Sequence, residues 1–423
     1  MIHPNHHSDI ALHIARNWRT VVKILIPENS DVVCYSFPIP IDTRKPGRLG
    51  YVRSGRMIYQ FLTMAEEDLV SVAFQYKYLV NADIKSFYPS IYTHSIAWAA
   101  HGKAKIRKGT NRYNMNLFGN RLDKLFQYSN DQRTNGLPIG PAVSDIAAEM
   151  IASAVDVELS VEIRKKGITC QMVRFKDDYR ILVHSKADGE SIIKSLQSAL
   201  MKFSLELNES KITITDLPEG LFRPWVSMYH FIHPKNYNTY GWKYFREWYL
   251  EVVRIDEKYP GVGVIDRFLA DLIDKDGRMK VNLNDRNLRK TLSMLIMLGR
   301  RRIKSFPKIL AIVESIVNSP VGIRNRNSLI KYLNDYFVEL SKDEYANRYL
   351  LSWLAYFFVS NRFKNQLSVK PNFKDPIIKT CFNNRSNIYN DARSFKLFEG
   401  ARSVRNRMSL LEYLDVFNPP QPD

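Results

Sequence analysis

The sequence predicts an α+β domain followed by an all-α domain, and three observations support this interpretation. The first 225 or so of the 423 residues alternate short apolar or β-branched runs with amphipathic stretches. A strand–turn–strand pattern lies within this half, and strand patterns fade from about residue 240. Short strands in this order, with helices between them, indicate a small antiparallel sheet backed by helices. We therefore predict two domains, at residues 1–235 and 240–423.

Four short segments of the first half have the composition of β-strands, with turn-forming or polar residues between them. The predicted strands cover residues 78–84, 170–175, 179–183 and 212–215. The middle two form a predicted hairpin with Lys176-Asp177-Asp178 at its turn. Residues 144–163 and 188–203 carry apolar side chains at helical spacing and predict helices that back the sheet.

The second half reads as a succession of amphipathic helices. They are predicted over residues 240–255, 264–274, 285–298, 305–317, 326–341 and 345–361, with shorter ones near Ile377, Arg393 and Met408. The sequence shows no clean repeat of fixed period, so it does not establish a helical-repeat array, although such an array stays an open alternative. Basic clusters at 300–304 and 402–407 are either solvated helix ends or contacts for a polyanion. The Pro-rich end, residues 418–423, is expected to be a frayed tail.

The charge is the first indication of function. The chain has 62 Lys and Arg against 43 Asp and Glu, a formal net charge of +19. This excess favours a polyanionic partner, of which nucleic acid is the commonest; the alternative is a protein that is merely basic. Hydrophobic residues make up 45% and aromatic residues 12% of the chain, which excludes a disordered protein.

The cysteines and the apolar runs bear on the compartment. The three cysteines, Cys34, Cys170 and Cys381, lie too far apart for a disulfide framework or a thiolate zinc site. No apolar run approaches the roughly 20 residues of a membrane span, and residues 1–7 lack the order of a secretory signal. A reducing cytosol and no membrane association are expected.

Three segments carry residues suited to metal or nucleotide chemistry. Asp83 ends a predicted buried strand, where a carboxylate is either a metal ligand or a helix N-cap. Asp177 and Asp178 lie side by side at a hairpin turn, which favours Asn-Gly or Asp-Gly when it is purely structural. Two adjacent carboxylates make physical sense there if a divalent cation neutralises them. The Gly/Pro-rich loop 136–144 allows close backbone approach, or is an ordinary entry into a helix.

The order and spacing of these segments resemble the palm of reverse transcriptases. Asp83-Ile84-Lys85-Ser86-Phe87-Tyr88 resembles motif A, and residues 136–144 resemble motif B. Phe175-Lys176-Asp177-Asp178 resembles motif C, usually Tyr-x-Asp-Asp, and residues 205–211 resemble the Leu-x-Leu-Asn-x-x-Lys segment that follows it. The resemblance covers roughly residues 30–225 and implies a fingers-and-palm domain with nucleotidyltransferase activity.

A closer resemblance is to the bacterial abortive-infection (Abi) and defence-associated reverse transcriptases. It lies in residues 87–96, Trp98, 101–103 and 138–141. In that family a palm-and-fingers half is followed by an all-helical half. The family implies an anti-phage role in the bacterial cytoplasm and a homo-oligomer. For its best-understood members it also implies protein-primed DNA synthesis without a template, the new strand being attached to a tyrosine.

Two positions depart from the common pattern. Phe175 stands where motif C usually has Tyr; the ring is kept, so activity is not in doubt on that account. Ile139 stands where template-copying reverse transcriptases usually carry Gln before the Gly. That Gln helps to hold the template and nucleotide, so its absence puts templated copying in doubt and fits untemplated synthesis.

The resemblance assigns roles to individual residues. Two Mg²⁺ ions, with Mn²⁺ as a substitute, would be held by Asp83, Asp177 and Asp178, and the backbone carbonyl of Ile84 would complete a metal shell. Tyr88 would lie under the sugar and favour deoxynucleoside triphosphates; its alternative is simple packing. Lys211 would approach the leaving phosphate or is a solvated surface lysine.

Two basic groups are candidates for contact with phosphate. The first is a Pro/Gly-rich loop where residues that grip the triphosphate would fall, with Arg44, Lys45, Arg48 and Arg53. The second adjoins Trp98 and suits single-stranded DNA, or is a flexible charged loop: Lys103, Lys105, Arg107 and Lys108. The sequence has 23 tyrosines and does not identify a priming residue.

Two other functions stay open. One is an RNA-templated reverse transcriptase that uses a partner non-coding RNA. The other is a catalytically silent palm that only binds nucleic acid, against which the intact Asp83, Asp177 and Asp178 argue. The absence of histidine after His233 argues against a histidine-dependent ribonuclease in the helical half.

Overall fold

The computed structural model describes residues 2, 4–36, 65–233, 239–274 and 277–383. The chain divides into two compact units, Met1–Phe222 and Arg223–Asp423.

The first unit is built on a five-stranded mixed sheet. Its strands are β1 (Val32–Cys34), β2 (Tyr78–Asp83), β3 (Cys170–Phe175), β4 (Asp178–Val183) and β5 (Thr213–Asp216). Their order across the sheet is β1-β3-β4-β2-β5. Only the β1–β3 pair is parallel; the hairpin β3–β4 and the pairs β4–β2 and β2–β5 are antiparallel. The predicted strands are therefore present, and β4 begins at Asp178, one residue earlier than predicted.

Helices surround this sheet. They are α1 (Pro4–Arg16), α2 (Trp18–Leu25), α3 (65–73), α4 (Phe87–Ser90), α5 (His94–His101), α6 (Lys103–Arg107), α7 (Phe118–Tyr128), α8 (Ala142–Lys166) and α9 (Lys186–Lys202). Short 3-10 turns cover Gly109–Tyr113 and Glu209–Lys211. The predicted helices at 144–163 and 188–203 correspond to α8 and α9.

Helix α8 is the longest helix described and runs through the core. Pro141 precedes it, and Gly167 ends it in the left-handed conformation with φ of 64°. Its last turn is basic, with Arg164, Lys165 and Lys166, which suits the negative end of the helix dipole. Because small and apolar residues occupy most of its surface, α8 packs closely on its neighbours along most of its length.

Both faces of the sheet are covered, and successive side chains along a strand enter different cores. On one face, Val80, Met172 and Ile181 lie in a core that includes α8 and α9. On the other, Leu79 and Leu182 lie in a smaller core with residues of α3. The strand ends that carry the candidate aspartates are thus fixed by packing from two sides.

The second unit is all helical in its described part. Its helices are α10 (Pro224–Ile232), α11 (Trp242–Lys258), α12 (Val264–Asp271), α13 (Leu288–Arg301), α14 (Phe306–Asn318), α15 (Pro320–Arg324), α16 (Arg326–Ser341), α17 (Arg348–Ser360) and α18 (Pro376–Phe382). Ile303–Ser305 and Lys364–Gln366 form 3-10 turns. One apolar core runs through this unit. The predicted α+β fold followed by helices is confirmed, and the helices predicted near Arg393 and Met408 lie outside the described residues.

The basic cluster at 300–304 is largely engaged in contacts within the second unit. Arg301 pairs with Asp256 at 2.9 Å and Arg302 with Asp266 at 2.7 Å. Arg300 lies over the ring of Tyr336. The cluster at 402–407 and the tail at 418–423 lie outside the described residues.

Two further observations concern the whole described chain. Cys34, Cys170 and Cys381 are all free thiols. Over the ranges that the structure describes, no helix combines the length and the apolar character that crossing a membrane requires.

Gly322 is expected to be essential for the packing of α15. A Cβ atom at this position would lie 1.9 Å from the carbonyl oxygen of Ile316 and 2.8 Å from the backbone of Val317. Because backbone atoms cannot yield as a flexible side chain can, we expect Gly322→Ala to reduce the free energy of unfolding by about 1–3 kcal/mol. Urea unfolding followed by circular dichroism measures this change.

Gly241→Ala is the matched control in the same unit. Gly241 has negative φ, and nothing lies within 4 Å of a Cβ built there. Its substitution should change the unfolding free energy by less than about 1 kcal/mol. Equal effects of the two substitutions would contradict the packing role of Gly322.

Candidate active site

Three aspartates meet where β2 ends and the β3–β4 hairpin turns. Asp83 is the last residue of β2 and lies opposite Asp178, the first residue of β4. Asp177 precedes Asp178 in the turn. One carboxylate oxygen from each lies within 4.8 Å of the other two. Asp83 is buried, Asp177 half-buried and Asp178 exposed, so the cluster opens to solvent on one side.

The backbone fixes this arrangement. Lys176 has φ of +55°, and this left-handed residue turns the chain between β3 and β4. The amide of Ile84 donates to the carbonyl oxygen of Asp177 at 3.1 Å, which joins the end of β2 to the turn. The carboxylates are therefore brought together by main-chain pairing and not by attraction between them.

Asn208 and Lys211 add a second set of contacts to Asp83. The amide of Asn208 donates to the Asp83 carbonyl at 2.8 Å, and its Nδ2 donates to Asp83 Oδ2 at 3.2 Å. Lys211 Nζ lies 3.0 Å from the same carboxylate oxygen. The sequence placed Lys211 at the site, and the structure brings it there. The sequence analysis gave no role to Asn208, although this residue lies in the Leu-x-Leu-Asn-x-x-Lys segment that helped to indicate the site.

The proximity of like charges changes the acidity of the cluster. Although Asp178 as a whole residue is exposed, the protein around its carboxylate removes part of the solvent from that group. This desolvation, followed by the charges of Asp177 and Asp83, raises the pKa of Asp178 to about 7. Partial burial also raises the pKa of Asp177, and the charge of Asp83 adds to it. The hydrogen bond to Asp83 raises the pKa of Lys211. A cation near these carboxylates is therefore electrostatically favoured.

The cluster has the donors that a hard divalent cation prefers. Mg²⁺ and Mn²⁺ bind carboxylate oxygens, and Mg²⁺ usually takes only one or two carboxylates, with water and substrate phosphate completing its shell. Asp83, Asp177 and Asp178 offer three such groups beside solvent. Within the described ranges, no other group of three His, Cys, Asp or Glu residues is placed to hold an ion. The residues present fit the metal.

Tyr88 lies on α4, five residues after Asp83. Its hydroxyl donates to Asp145 Oδ1 in the first turn of α8, and its ring is half-buried against Phe87. The Tyr88 ring is thereby fixed at its hydroxyl end by the hydrogen bond to Asp145, as well as at its Cβ end by the backbone of α4. The sequence identified Tyr88 and missed Asp145, since nothing local to residue 145 indicates a partner 57 positions earlier in the chain.

The Gly/Pro-rich loop runs beside α4. Gly136 has φ of +86°, its amide donates to the Ile91 carbonyl at 2.8 Å, and a Cβ there would lie 3.3 Å from the Pro89 carbonyl oxygen. Glycine therefore permits the close approach that the sequence predicted. Ile139 is 67% exposed. An open cavity of about 380 Å³ adjoins the start of this loop and is lined by Pro89, Ser90, Tyr92, Asn135 and Ser204.

The basic candidates divide into described and undescribed residues. Lys103 Nζ lies 4.1 Å from the ring centre of Trp98 and donates to the carbonyl of Lys202, and Arg107 lies 5.6 Å from the same ring centre. Trp98 itself is buried, whereas Lys105 and Lys108 are exposed. The other candidates fall outside the described residues: Arg44, Lys45, Arg48 and Arg53.

Residues 48–243 match the family model described as reverse transcriptase (RNA-dependent DNA polymerase). The chain thus contains a reverse transcriptase domain, and the aspartate cluster lies within it. No significant match was found among curated protein sequences.

Solved structures similar to the chain include two yeast telomerases. The apo telomerase of Candida tropicalis is 11% identical, with 72% of this chain and 57% of that chain covered and a TM-score of 0.31. The telomerase of Candida albicans with a fragment of telomeric RNA is 11% identical, with 75% and 54% covered and a TM-score of 0.27. This chain therefore spans little more than half the length of those proteins.

The raised pKa of Asp178 predicts a pH-dependent stability in the absence of metal. Between its ordinary value of 3.8 and about 7, the folded protein holds a proton that the unfolded chain releases, so stability falls as pH rises through this range. Asp178→Asn removes the repulsion. At pH 8 the variant should therefore be the more stable by about 1 kcal/mol, after allowance for solvent screening, or roughly 2–4 °C in Tm.

Thermal unfolding in EDTA at pH 5, 6, 7 and 8 tests this expectation. The difference in Tm between variant and wild type should be smallest at pH 5 and should grow with pH. A difference that stays constant across the series would contradict the electrostatic account of the cluster.

Proposed function

We propose that this chain is a Mg²⁺-dependent DNA polymerase that joins deoxynucleotides by nucleotidyl transfer. The observation that carries the proposal is the meeting of Asp83, Asp177 and Asp178 within 4.8 Å inside a reverse transcriptase domain. A catalytically silent palm is disfavoured because all three carboxylates are present and face one another.

In this proposal the three aspartates are the metal ligands, and the backbone carbonyl of Ile84 completes the donor set. The bound ions would lower the pKa of the attacking hydroxyl and neutralise charge on the leaving pyrophosphate. The main-chain bond from Ile84 to Asp177 keeps the two strand ends in register while substrate binds. Asn208 orients the Asp83 carboxylate by its hydrogen bond to Oδ2.

Lys211 has a proposed role on the phosphate side of the reaction. Its ammonium group is held by Asp83, and the side chain is otherwise 61% exposed. An ammonium group at this place can move from the carboxylate to a developing negative charge within the reach of its flexible stem. We assign it to the leaving phosphate.

Tyr88 has a proposed role in the choice of sugar. The bond to Asp145 and the contact with Phe87 hold the ring in one place. A fixed ring under the sugar would clash with a 2′-hydroxyl and so favour deoxynucleoside triphosphates over ribonucleotides. Arg44, Lys45 and Arg53 are proposed to hold the triphosphate.

The net charge of +19 supports nucleic acid as the product and partner. Lys105 and Lys108 are exposed and suited to the phosphates of single-stranded DNA. Lys103 and Arg107 belong to the same proposed surface but also contact Trp98 within the protein.

The finer proposal is that DNA synthesis needs no template and is primed by a tyrosine of the protein. We further propose that the protein acts in bacterial anti-phage defence, as a homo-oligomer in the cytoplasm. The similarity of residues 87–96 and 138–141 to the abortive-infection reverse transcriptases supports it. Ile139 adds support, because its exposed apolar side chain has no amide with which to hold a template. RNA-templated synthesis is the second candidate, favoured by the match to a family of RNA-dependent DNA polymerases.

Asp177→Asn together with Asp178→Asn should reduce deoxynucleotide incorporation by at least about 10³-fold, as expected when members of one catalytic unit are removed. The substitutions also remove like-charge repulsion, so the fold should be retained. Incorporation of labelled deoxynucleotide by purified protein, with circular dichroism alongside, measures both effects.

Asp216→Asn is the matched control, since Asp216 lies on β5 of the same sheet, is 71% exposed and pairs only loosely with Lys186. It should incorporate nucleotide as the wild type does. In cells, the control should protect against phage and the double variant should not. Protection by the double variant would contradict the enzymatic proposal.

Primer-free and template-free labelling separates the two modes of synthesis. We expect label from a deoxynucleotide to stay with the denatured protein, to be trimmed by DNase and to be released by protease. Peptide mapping would then identify the primed tyrosine. Synthesis only after RNA and a primer are supplied, with a product complementary to that RNA, would replace the untemplated mechanism by the templated one.

A further inference from the structure

Arg174 lies on β3, the first strand of the hairpin that carries Asp177 and Asp178, three residues before Asp177. It is completely buried although it carries a charge. Arg174 is on β3 opposite Tyr179 of β4, on the face of the sheet that α8 covers. A buried guanidinium needs charge partners and a full set of acceptors, and its acceptors show what it holds in place.

Two carboxylates of α8 form ion pairs with Arg174. Nη2 donates to Glu149 Oε1 at 2.6 Å and to Asp156 Oδ2 at 2.7 Å, and Nε donates to the same Asp156 oxygen at 2.8 Å. Each carboxylate also accepts a hydrogen bond from a hydroxyl group. Tyr179 Oη donates to Asp156 at 2.7 Å, and Ser36 Oγ donates to Glu149 at 2.7 Å. This buried ion cluster is fully connected, so the guanidinium has a single position.

A further hydrogen bond of Arg174 reaches the turn. Arg174 Nη1 donates to the carbonyl oxygen of Lys176 at 2.9 Å. Lys176 is the left-handed residue of the turn, and its carbonyl belongs to the peptide unit that continues into Asp177. A charge-assisted hydrogen bond on that carbonyl fixes the orientation of the peptide from which the Asp177 side chain projects.

We propose that Arg174 is a positioning residue: clamped by Glu149 and Asp156, it holds the Lys176 carbonyl and thereby sets where Asp177 and Asp178 present their carboxylates. The role rests on the proposed polymerase function, because Arg174 acts only through those two aspartates. Stability alone does not account for the cluster, since apolar side chains of similar size often replace buried ion pairs without loss of stability.

The helix that clamps Arg174 also reaches the other side of the site. Asp145, which accepts the Tyr88 hydroxyl, lies eleven residues before Asp156 on α8, or about 16 Å along the helix axis. One rigid helix therefore positions both the ring of Tyr88 and the metal-binding turn. The distance between these groups is set within α8 and not across flexible loops.

Arg174→Lys is the first test, because it keeps the charge and cannot reach both carboxylates and the turn carbonyl together. We expect the Mn²⁺ dissociation constant, measured by electron paramagnetic resonance, to rise roughly 10- to 100-fold. In EDTA, the Ile84 amide, which donates to Asp177, should exchange its hydrogen at least about tenfold faster. At saturating metal, kcat should fall roughly 100-fold while KM for the nucleotide changes less than about threefold.

Arg180→Lys is the matched control. Arg180 is on the neighbouring strand β4, opposite Val173, and faces the other side of the sheet from Arg174. It donates to the carbonyls of Gly220 and Leu221 at 2.6 and 2.8 Å. It should leave Mn²⁺ affinity and Ile84 exchange at wild-type values. Equal effects of the two substitutions would overturn the role of Arg174.

The charge-free variant Arg174→Met/Glu149→Gln/Asp156→Asn keeps the volume of the cluster and leaves no unpaired charge. It decides the matter if Arg174→Lys fails to fold. Fast Ile84 exchange and weak Mn²⁺ binding in the folded triple variant would support positioning; wild-type values of both would overturn it. Because neither readout needs catalysis, they test Arg174 even if wild-type protein incorporates no nucleotide and the proposed function fails.

Discussion

Mutual repulsion among three carboxylates is the constraint on which the first unit depends. At such separations the interaction between like charges is unfavourable unless water or a cation offsets it. The protein holds them together with interactions that do not relax, namely the β2–β4 ladder and the bond from Ile84 to Asp177. Folding thus stabilises an arrangement that the side chains alone would avoid, as is common where a site is prepared for a cation.

Two positively charged side chains, Lys211 and Arg174, lie near this cluster in different settings. Lys211 contacts Asp83 from the solvent side, on a flexible and mostly exposed stem, so it can exchange partners during a reaction. Arg174 is enclosed on the core side, where its partners leave it no alternative position. The first provides a mobile charge and the second a fixed one. A substrate can displace only the first.

Much of this arrangement could be predicted because the signals are local. A run such as residues 78–83, or a pair such as Asp177-Asp178, shows its character within a few positions. Strand β1 was not predicted, since it has three residues and pairs with β3 far along the chain. The partners of Arg174, and the contacts of Asp83 with Asn208, likewise depend on packing between distant segments. Single-sequence patterns do not encode such pairings.

The register of β2 against β4 has a consequence for how chains of this kind can diverge. Residues 78–83 of β2 pair one to one with residues 183–178 of β4, and successive side chains point to opposite faces of the sheet. One inserted or deleted residue within β2 would turn Asp83 to the opposite face, whereas changes of length between α6 and α7 leave the ladder untouched. Related chains should therefore vary in length within the 108–117 connection and stay constant in length along β2.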